Sequence, residues 1–303
     1  MKILVTGGLG VVGLPLVAEL RSKGHEVWIC DLHQHHDPFY LRCDVRHLRQ
    51  VQALFAGRSF DCVYHLAAEF GRHNGEDYYE NLWATNVVGT KNVLTVQRKQ
   101  GFRLVFFSSS EVYGDYDGVM SEDVMEDVAI RQMNDYAMTK WVGEMQVANA
   151  AELCGTETVR VRLFNIYGPG EYYSPYRSAL CIFCYRALTG QQYQVYTDHH
   201  RTSLYIDDAV RTLGNICERF TPGEVYNIGG TEYHDMRAVS AMVLDYLGRD
   251  DDIVEYVESE PMTTRDKKVD TARAARDLGH APTVALAEGI PRTIEWMKGI
   301  YAG

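Results

Sequence analysis

Tyr136 and Lys140 stand four residues apart in Tyr-Ala-Met-Thr-Lys, inside a stretch with helical periodicity. That spacing sets both side chains on one helix face, with the ammonium in reach of the phenol's surroundings. A free tyrosine titrates near pH ~10, so it serves as a base at neutral pH only where positive charge stabilises its phenolate. A surface tyrosine beside a solvated lysine is the plainer reading of such a pair, and the surroundings decide between the two. Upstream, Phe107-Ser108-Ser109-Ser110-Glu111-Val112-Tyr113-Gly114 ends a strand-like apolar run. Ser109, Ser110 and Glu111 therefore fall at a strand's carboxyl end, where open α/β sheets bind ligands. In extended chain, residues two apart share a face, which would aim Ser109 and Glu111 at the same ligand. There Glu111 either moves a proton or accepts bonds from nearby amides.

A second group of residues could hold a dinucleotide. Thr6-Gly7-Gly8-Leu9-Gly10-Val11-Val12-Gly13 satisfies both Gly8-x-Gly10-x-x-Gly13 and Gly7-x-x-Gly10-x-x-Gly13. Glycines there let the backbone turn tightly and approach a pyrophosphate, and Val11 and Val12 open the helix whose N-terminus faces it. Asp31, at the end of the second strand, stands where a carboxylate accepts from the adenosine ribose. It would repel the 2'-phosphate of NADP, and no Lys or Arg follows in Leu32 to Asp37, so NAD is the expected cofactor. Asp44-Val45, after the third strand, either meets the adenine edge or starts the next helix with Asp44 as its cap.

These residues need a scaffold that delivers them to one edge. Short apolar runs at 3–5, 27–30, 62–65, 104–107 and 159–163 alternate with helical patterns at 11–23, 47–56, 78–100 and 135–153. Near-continuous apolar strands suit a parallel sheet covered on both faces. The expected fold is α/β: a Rossmann-type doubly wound parallel sheet with a smaller C-terminal substrate-binding α/β domain. Residues 1–165 form the first unit, which regains part of 193–220, and 166–303 form most of the second, with helices near 235–247 and 286–299.

The chain has 303 residues, 46% hydrophobic and 23% charged, enough for a sizeable core. A net charge of -11 excludes a general nucleic-acid binder, whose affinity rests on basic surface. Seven scattered cysteines form no disulfide framework and point to a reducing cytoplasm. Cys181 and Cys184 make a single CxxC within an apolar stretch, which reads as buried helix thiols. His33, His35 and His36 read as a solvated loop, so no metal is expected. No run is long and apolar enough for a signal peptide or a membrane span.

Taken in order, Thr6 to Gly13, His65-Leu66-Ala67-Ala68, Ser108-Ser-Ser-Glu-Val-Tyr-Gly114, Tyr136-x-x-x-Lys140 and Arg162-Leu-Phe-Asn165-Ile-Tyr-Gly-Pro169 resemble the extended short-chain dehydrogenase/reductase family. The match is narrower still with its NAD-dependent nucleotide-sugar epimerase/dehydratase branch. Arg201-Thr-Ser-Leu-Tyr-Ile-Asp207 and Tyr226-Asn-Ile-Gly-Gly230 extend it into the second half.

The resemblance implies that Tyr136 is the base toward a sugar hydroxyl, that Lys140 holds the nicotinamide ribose and that Ser109 binds the same hydroxyl. It places Leu66, Ala67 and Ala68 beside the cofactor, Ser110 beside the sugar, and Asn165 and Arg201 on the diphosphate. It also implies a homodimer paired through the helices at 78–100 and 135–153. Asn86 reads as structural and Asp207 as a helix cap.

The family oxidises a sugar at C4 and uses the resulting ketone. Glu111 matches a glutamate of dehydratases and decarboxylases that simple 4-epimerases generally lack. Ser110 stands where dTDP-glucose dehydratases have an aspartate, so a dedicated acid is missing. The expected reaction is chemistry at C5: 4,6-dehydration first, then epimerisation, then decarboxylation of a uronic acid. Residues 69–81 match no subfamily pattern and read equally as substrate contacts or as an exposed loop. An NAD-sensing binding protein is the reading from a different class, since a Rossmann fold alone does not fix function. Such a protein would not need Ser109, Tyr136 and Lys140 together.

Overall fold

A computed structural model describes residues 1–301. Seven strands run parallel in the spatial order Val225–Ile228, Thr158–Leu163, Arg103–Ser109, Cys62–His65, Lys2–Thr6, Glu26–Asp31, Tyr40–Arg42. The chain starts in the middle, winds outward through Tyr40–Arg42, and crosses back to Cys62–His65 on the other side of Lys2–Thr6. The crevice at this reversal is where doubly wound sheets bind nucleotides.

Alternation explains the two covered faces. Ile3 and Val5 point into one apolar cluster, with Leu16, Val17 and Leu20 of the first helix and Ala209 and Leu213 of Ile206–Leu213. Leu4 points the other way, into a cluster with Val63, Leu104, Phe106, Val93, Val96 and Val147. Burying both sides of each strand is what its unbroken apolar sequence requires.

The seventh strand of this sheet, Val225–Ile228, lies beyond 193–220. What 193–220 returns to the first unit is the helix Ile206–Leu213, whose Leu213 carbonyl accepts from the buried Tyr64 hydroxyl at 3.1 Å. Tyr193–Tyr196 pairs with Val254–Val257, and Leu204–Tyr205 with Ile166–Tyr167.

A second, four-stranded sheet runs Tyr233–Asp235, His200–Thr202, Asp266–Val269, Val119–Met120. Its register sets Arg201 directly opposite Lys267. Two cations facing each other across a ladder repel. Both are buried, so acidic partners have to lie close by.

The pattern at 78–100 is a composite: Tyr79–Trp83, one π turn at Ala84–Gly89, then Thr90–Gln100. Asn86 lies in the π turn. Its Oδ1 accepts from the Glu69 amide at 2.8 Å, and its Nδ2 donates to the Glu69 carbonyl and to Thr139 Oγ1, both at 3.0 Å. It ties the chain after Cys62–His65 to the helix Asp135–Cys154, a structural task.

Asp207 sits inside the first turn of Ile206–Leu213, while the cap position is Tyr205. Cys181 and Cys184 are buried in Ala179–Thr189, and His33 and His36 are exposed. Among the described residues no group of His, Cys, Asp or Glu side chains assembles a metal site, and no helix is long and apolar enough to cross a membrane.

Candidate active site

Two cavities open at the carboxyl end of the large sheet. The smaller, about 480 Å³, is lined by Gly7, Gly10, Val11, Val12, Gly13, Asp31, Asp44, Val45, Leu66, Ala67, Ala68, Tyr136 and Lys140 among others. Its floor is backbone. Gly7 has φ +69°, and a Cβ there would lie 2.7 Å from the Ala67 nitrogen; a Cβ on Gly13 would lie 2.2 Å from the Gly7 carbonyl oxygen. Only glycine fits at either place.

The amides of Val11 and Val12 have no backbone acceptor among the described residues, and no side chain caps the helix Gly13–Ser22. Free amides at a helix N-terminus suit a pyrophosphate. Asp31 is steadied by the Leu9 amide on Oδ2 (3.1 Å) and the Leu32 amide on Oδ1 (2.8 Å). It keeps lone pairs for ribose hydroxyls.

Asp44 is arranged otherwise than the sequence suggests. Its carboxylate grips the Arg46 guanidinium (Nη2 to Oδ2, 2.7 Å), which lowers its pKa, and the cap position of the next helix is His47. Arg46 folds back because its own amide also donates to Asp44 Oδ1, so both oxygens are occupied before any ligand arrives. Helix capping by Asp44 is excluded, and an adenine contact would have to be shared with Arg46.

Tyr136 is the second residue of the helix Asp135–Cys154, which is capped by Asn134, whose Oδ1 accepts from the Ala137 amide at 2.7 Å. Lys140 follows one turn on and is buried. Its Nζ donates to the Phe107 carbonyl at 2.9 Å and stands 5.8 Å from the centre of the Tyr136 ring. Burial brings the Lys140 pKa down to about 8, against the opposing pull of the Glu144 carboxylate. Burial also pushes Tyr136 up to about 12, and the Glu111 charge adds to this while the Ser109 hydroxyl counteracts it. The tyrosine thus becomes a base only when more positive charge arrives, as an oxidised nicotinamide would bring. Beneath them Glu144 is fully buried, held by Arg162 (2.8 and 2.9 Å) and by the Ser108 hydroxyl (2.5 Å).

The larger cavity, about 710 Å³, is lined by Ser109, Ser110, Glu111, Asn165 and Arg201 together with Arg72, Glu260 and Lys267. Tyr136, Leu163, Phe70 and Arg177 line both cavities, so the tyrosine stands at their junction. Ser109 and Glu111 do meet here, but not through extended chain. The backbone turns into a 3-10 helix at Ser110–Tyr113, with Ser109 Oγ accepting from the Glu111 amide at 3.2 Å. Asn165 has φ +37° and donates from Nδ2 to the Thr202 carbonyl (3.1 Å); Arg201 Nη1 donates to the carbonyls of His200 (2.9 Å) and Arg265 (2.5 Å).

Lys267, Arg72 and Glu260 are the residues the motifs do not reveal. Lys267 Nζ donates to Glu111 Oε1, Arg72 Nη2 donates to Glu260, and Arg72 Nε lies 3.9 Å from Glu111. Asn134 Nδ2 reaches Glu111 Oε2 at 3.4 Å. Burial alone would raise the Glu111 pKa, but the charges of Lys267 and Arg72 outweigh it and hold the carboxyl down at about 2. Burial brings Lys267 down to about 8, resisted by Glu111 and reinforced by Arg201. Nothing in the charged run of Asp266–Val269 singles out Lys267, which the strand turns inward while Lys268 turns outward.

The profile of the NAD dependent epimerase/dehydratase family matches residues 3–229. The chain belongs to this family. It is an NAD-dependent enzyme of the nucleotide-sugar branch, as its motifs imply. It is similar to a UDP-N-acetyl-alpha-D-glucosaminuronate decarboxylase of Bacillus cytotoxicus, at 28% identity over 99% of this chain and 98% of that one. A dTDP-glucose 4,6-dehydratase of Streptomyces niveus is 29% identical over 98% and 93%. The structure of MoeE5 in complex with UDP-glucuronic acid and NAD superposes with a TM-score of 0.88 at 28% identity, covering 99% of this chain and all of that one.

Proposed function

We propose that the enzyme oxidises a nucleotide-diphosphate sugar at C4 and then exchanges a proton at C5 of the keto sugar. The observation that carries this is the hydrogen-bonded Glu111–Lys267 pair, lining the same cavity as Ser109 and Tyr136. Hydride transfer alone needs neither member of that pair. When bound in the smaller cavity, NAD supplies the hydride chemistry, taking up two electrons from the sugar and later giving them back. Ser109 orients the C4 hydroxyl and Tyr136 accepts its proton, with Lys140 holding positive charge beside the phenolate. A ketone at C4 acidifies the adjacent C5–H. Glu111, held ionised, accepts that proton, and the Lys267 ammonium supplies the proton that returns to C5, or that a departing 6-hydroxyl takes with it where the sugar carries one. The sugar's diphosphate is assigned to Asn165 and Arg201.

Glu111→Gln is the test. The holoenzyme with its substrate should still develop the absorbance of reduced NAD but release no product. In heavy water, deuterium should enter C5 with the wild type alone. A wild-type product free of solvent deuterium makes the enzyme a 4-epimerase.

The exposed apolar side chains of Val88, Met138 and Met145, on the helices of 79–100 and 135–154, support a homodimer. Light scattering at micromolar concentration checks it, a monomer counting against it. Seven unbridged cysteines support a cytoplasmic setting.

A further inference from the structure

Arg72 opens the helix Arg72–Asp77 in the segment that matches no subfamily pattern, and its guanidinium lines the larger cavity. A guanidinium carries five N–H donors. Only Nη2 has an acceptor, Glu260; Nη1 is buried without any partner among the described residues, and Nε has only the Glu111 carboxylate at 3.9 Å. A cation so enclosed and so sparsely bonded is costly unless something else supplies acceptors.

The surrounding charges say what that something is. Arg72, Arg201 and Lys267 bring three positive charges, against two negative charges from Glu111 and Glu260. His199 adds none, since burial and the Arg201 charge lower its pKa. Its Nε2 accepts from the Glu260 amide at 3.0 Å, so its Nδ1 must carry the proton toward Arg201 Nη2, 3.3 Å away, and cannot accept from it. Asp266 also acts on Arg201, and the diphosphate is assigned to that arginine, so the donor left without an acceptor is Arg72 Nη1. Arg72 lies 3.9 Å from Glu111, in the cavity that Ser109 and Tyr136 also line, and so at its sugar end.

We propose that Arg72 is a specificity-determining residue for a carboxylate on the sugar, and that the substrate class is a nucleotide-diphosphate uronic acid. This rests on the reading of the larger cavity as a nucleotide-sugar site. An acid at C6 has no hydroxyl to expel, so it removes dehydration from the three C5 reactions.

The test is calorimetric binding to the NAD-loaded protein of two pairs, UDP-glucuronic acid with UDP-glucose and GDP-mannuronic acid with GDP-mannose. Within each pair only C6 differs. A charge-assisted contact predicts that the acid of the accepted pair binds about ten- to a hundredfold tighter. Arg72→Met should collapse that ratio toward one, and Arg72→Lys, which keeps the charge, should retain part of it. Equal binding of acid and neutral sugar by the wild type overturns the inference. So does an Arg72→Met variant that weakens both by the same factor, since the arginine then reads the diphosphate. Failure of every pair to bind while NAD still binds overturns the nucleotide-sugar reading as well.

Discussion

The smaller cavity is shaped mainly by backbone: a left-handed Gly7, a Gly13 pressed on the Gly7 carbonyl, and unpaired amides at a helix start. The larger takes its character from charged side chains drawn from positions 72, 111, 201, 260 and 267. One site fails by a methyl group and the other by a charge. Each holds one buried ammonium brought down to about 8, Lys140 in the first and Lys267 in the second.

The severest test of this contrast is at the junction. Tyr136→Phe should lower kcat by about 100- to 10,000-fold, because it deletes the proton acceptor and keeps the ring. NAD affinity, measured by fluorescence, should stay within about threefold; near-normal turnover would break the mechanism. Next in size, Gly13→Ala should weaken NAD binding roughly ten- to a hundredfold, since overpacking of a rigid contact costs about 1–3 kcal/mol. Lys267→Met should leave NAD affinity untouched while abolishing solvent-deuterium uptake at C5. If both variants lose NAD equally, the two sites are not separable as described.

A smaller effect should appear with pH. Lys140 and Lys267 are both lowered from 10.5 to about 8, so kcat/KM should fall as pH rises past about 8 and the ammonium forms are lost. Stability should move the other way. Between about 8 and 10.5 the unfolded chain binds more protons than the folded one, so unfolding free energy rises with pH over that window. Lys267→Arg, charged throughout, should leave an alkaline limb governed by Lys140 alone. A profile flat to pH 10 would contradict the burial of both ammonium groups. The smallest effect is at Asp31. Asp31→Asn should narrow the preference for NAD over NADP by roughly fivefold, the order of one like-charge repulsion in water. Tighter NADP binding by the wild type would remove the role assigned to this carboxylate.

The same contrast explains what could be read in advance. Thr6 to Gly13, Ser109 and the Tyr136–Lys140 pair are local features, and a strand, a turn or one helical step is enough to place them. The doubly wound sheet followed from five apolar runs and the helices between them. Lys267 was not legible, because its neighbour Glu111 lies 156 positions away and meets it only through the parallel pairing of Asp266–Val269 with Val119–Met120. Arg72 had no motif, and its role depends on Glu260, in a segment with no periodicity. The seventh strand, Val225–Ile228, lies outside the five apolar runs and beyond 193–220, whose strand Tyr193–Tyr196 pairs instead with Val254–Val257. Of the two readings open for Asp44, the cap fails because the next helix is capped at His47 and a guanidinium two residues on holds the carboxylate.

The seventh strand's position has a consequence for how the enzyme is made. The large sheet lacks its outer strand until residue 228 has been synthesised, yet every residue lining the cofactor cavity lies at or before Arg177. Lys267 and Glu260 emerge only later. A chain made as far as residue 228 thus contains the whole dinucleotide cradle and the helix Ile206–Leu213 that covers its first helix, but not yet Glu260 or Lys267. The order of the polypeptide places the residues of the cofactor cavity ahead of two members of the charged cluster.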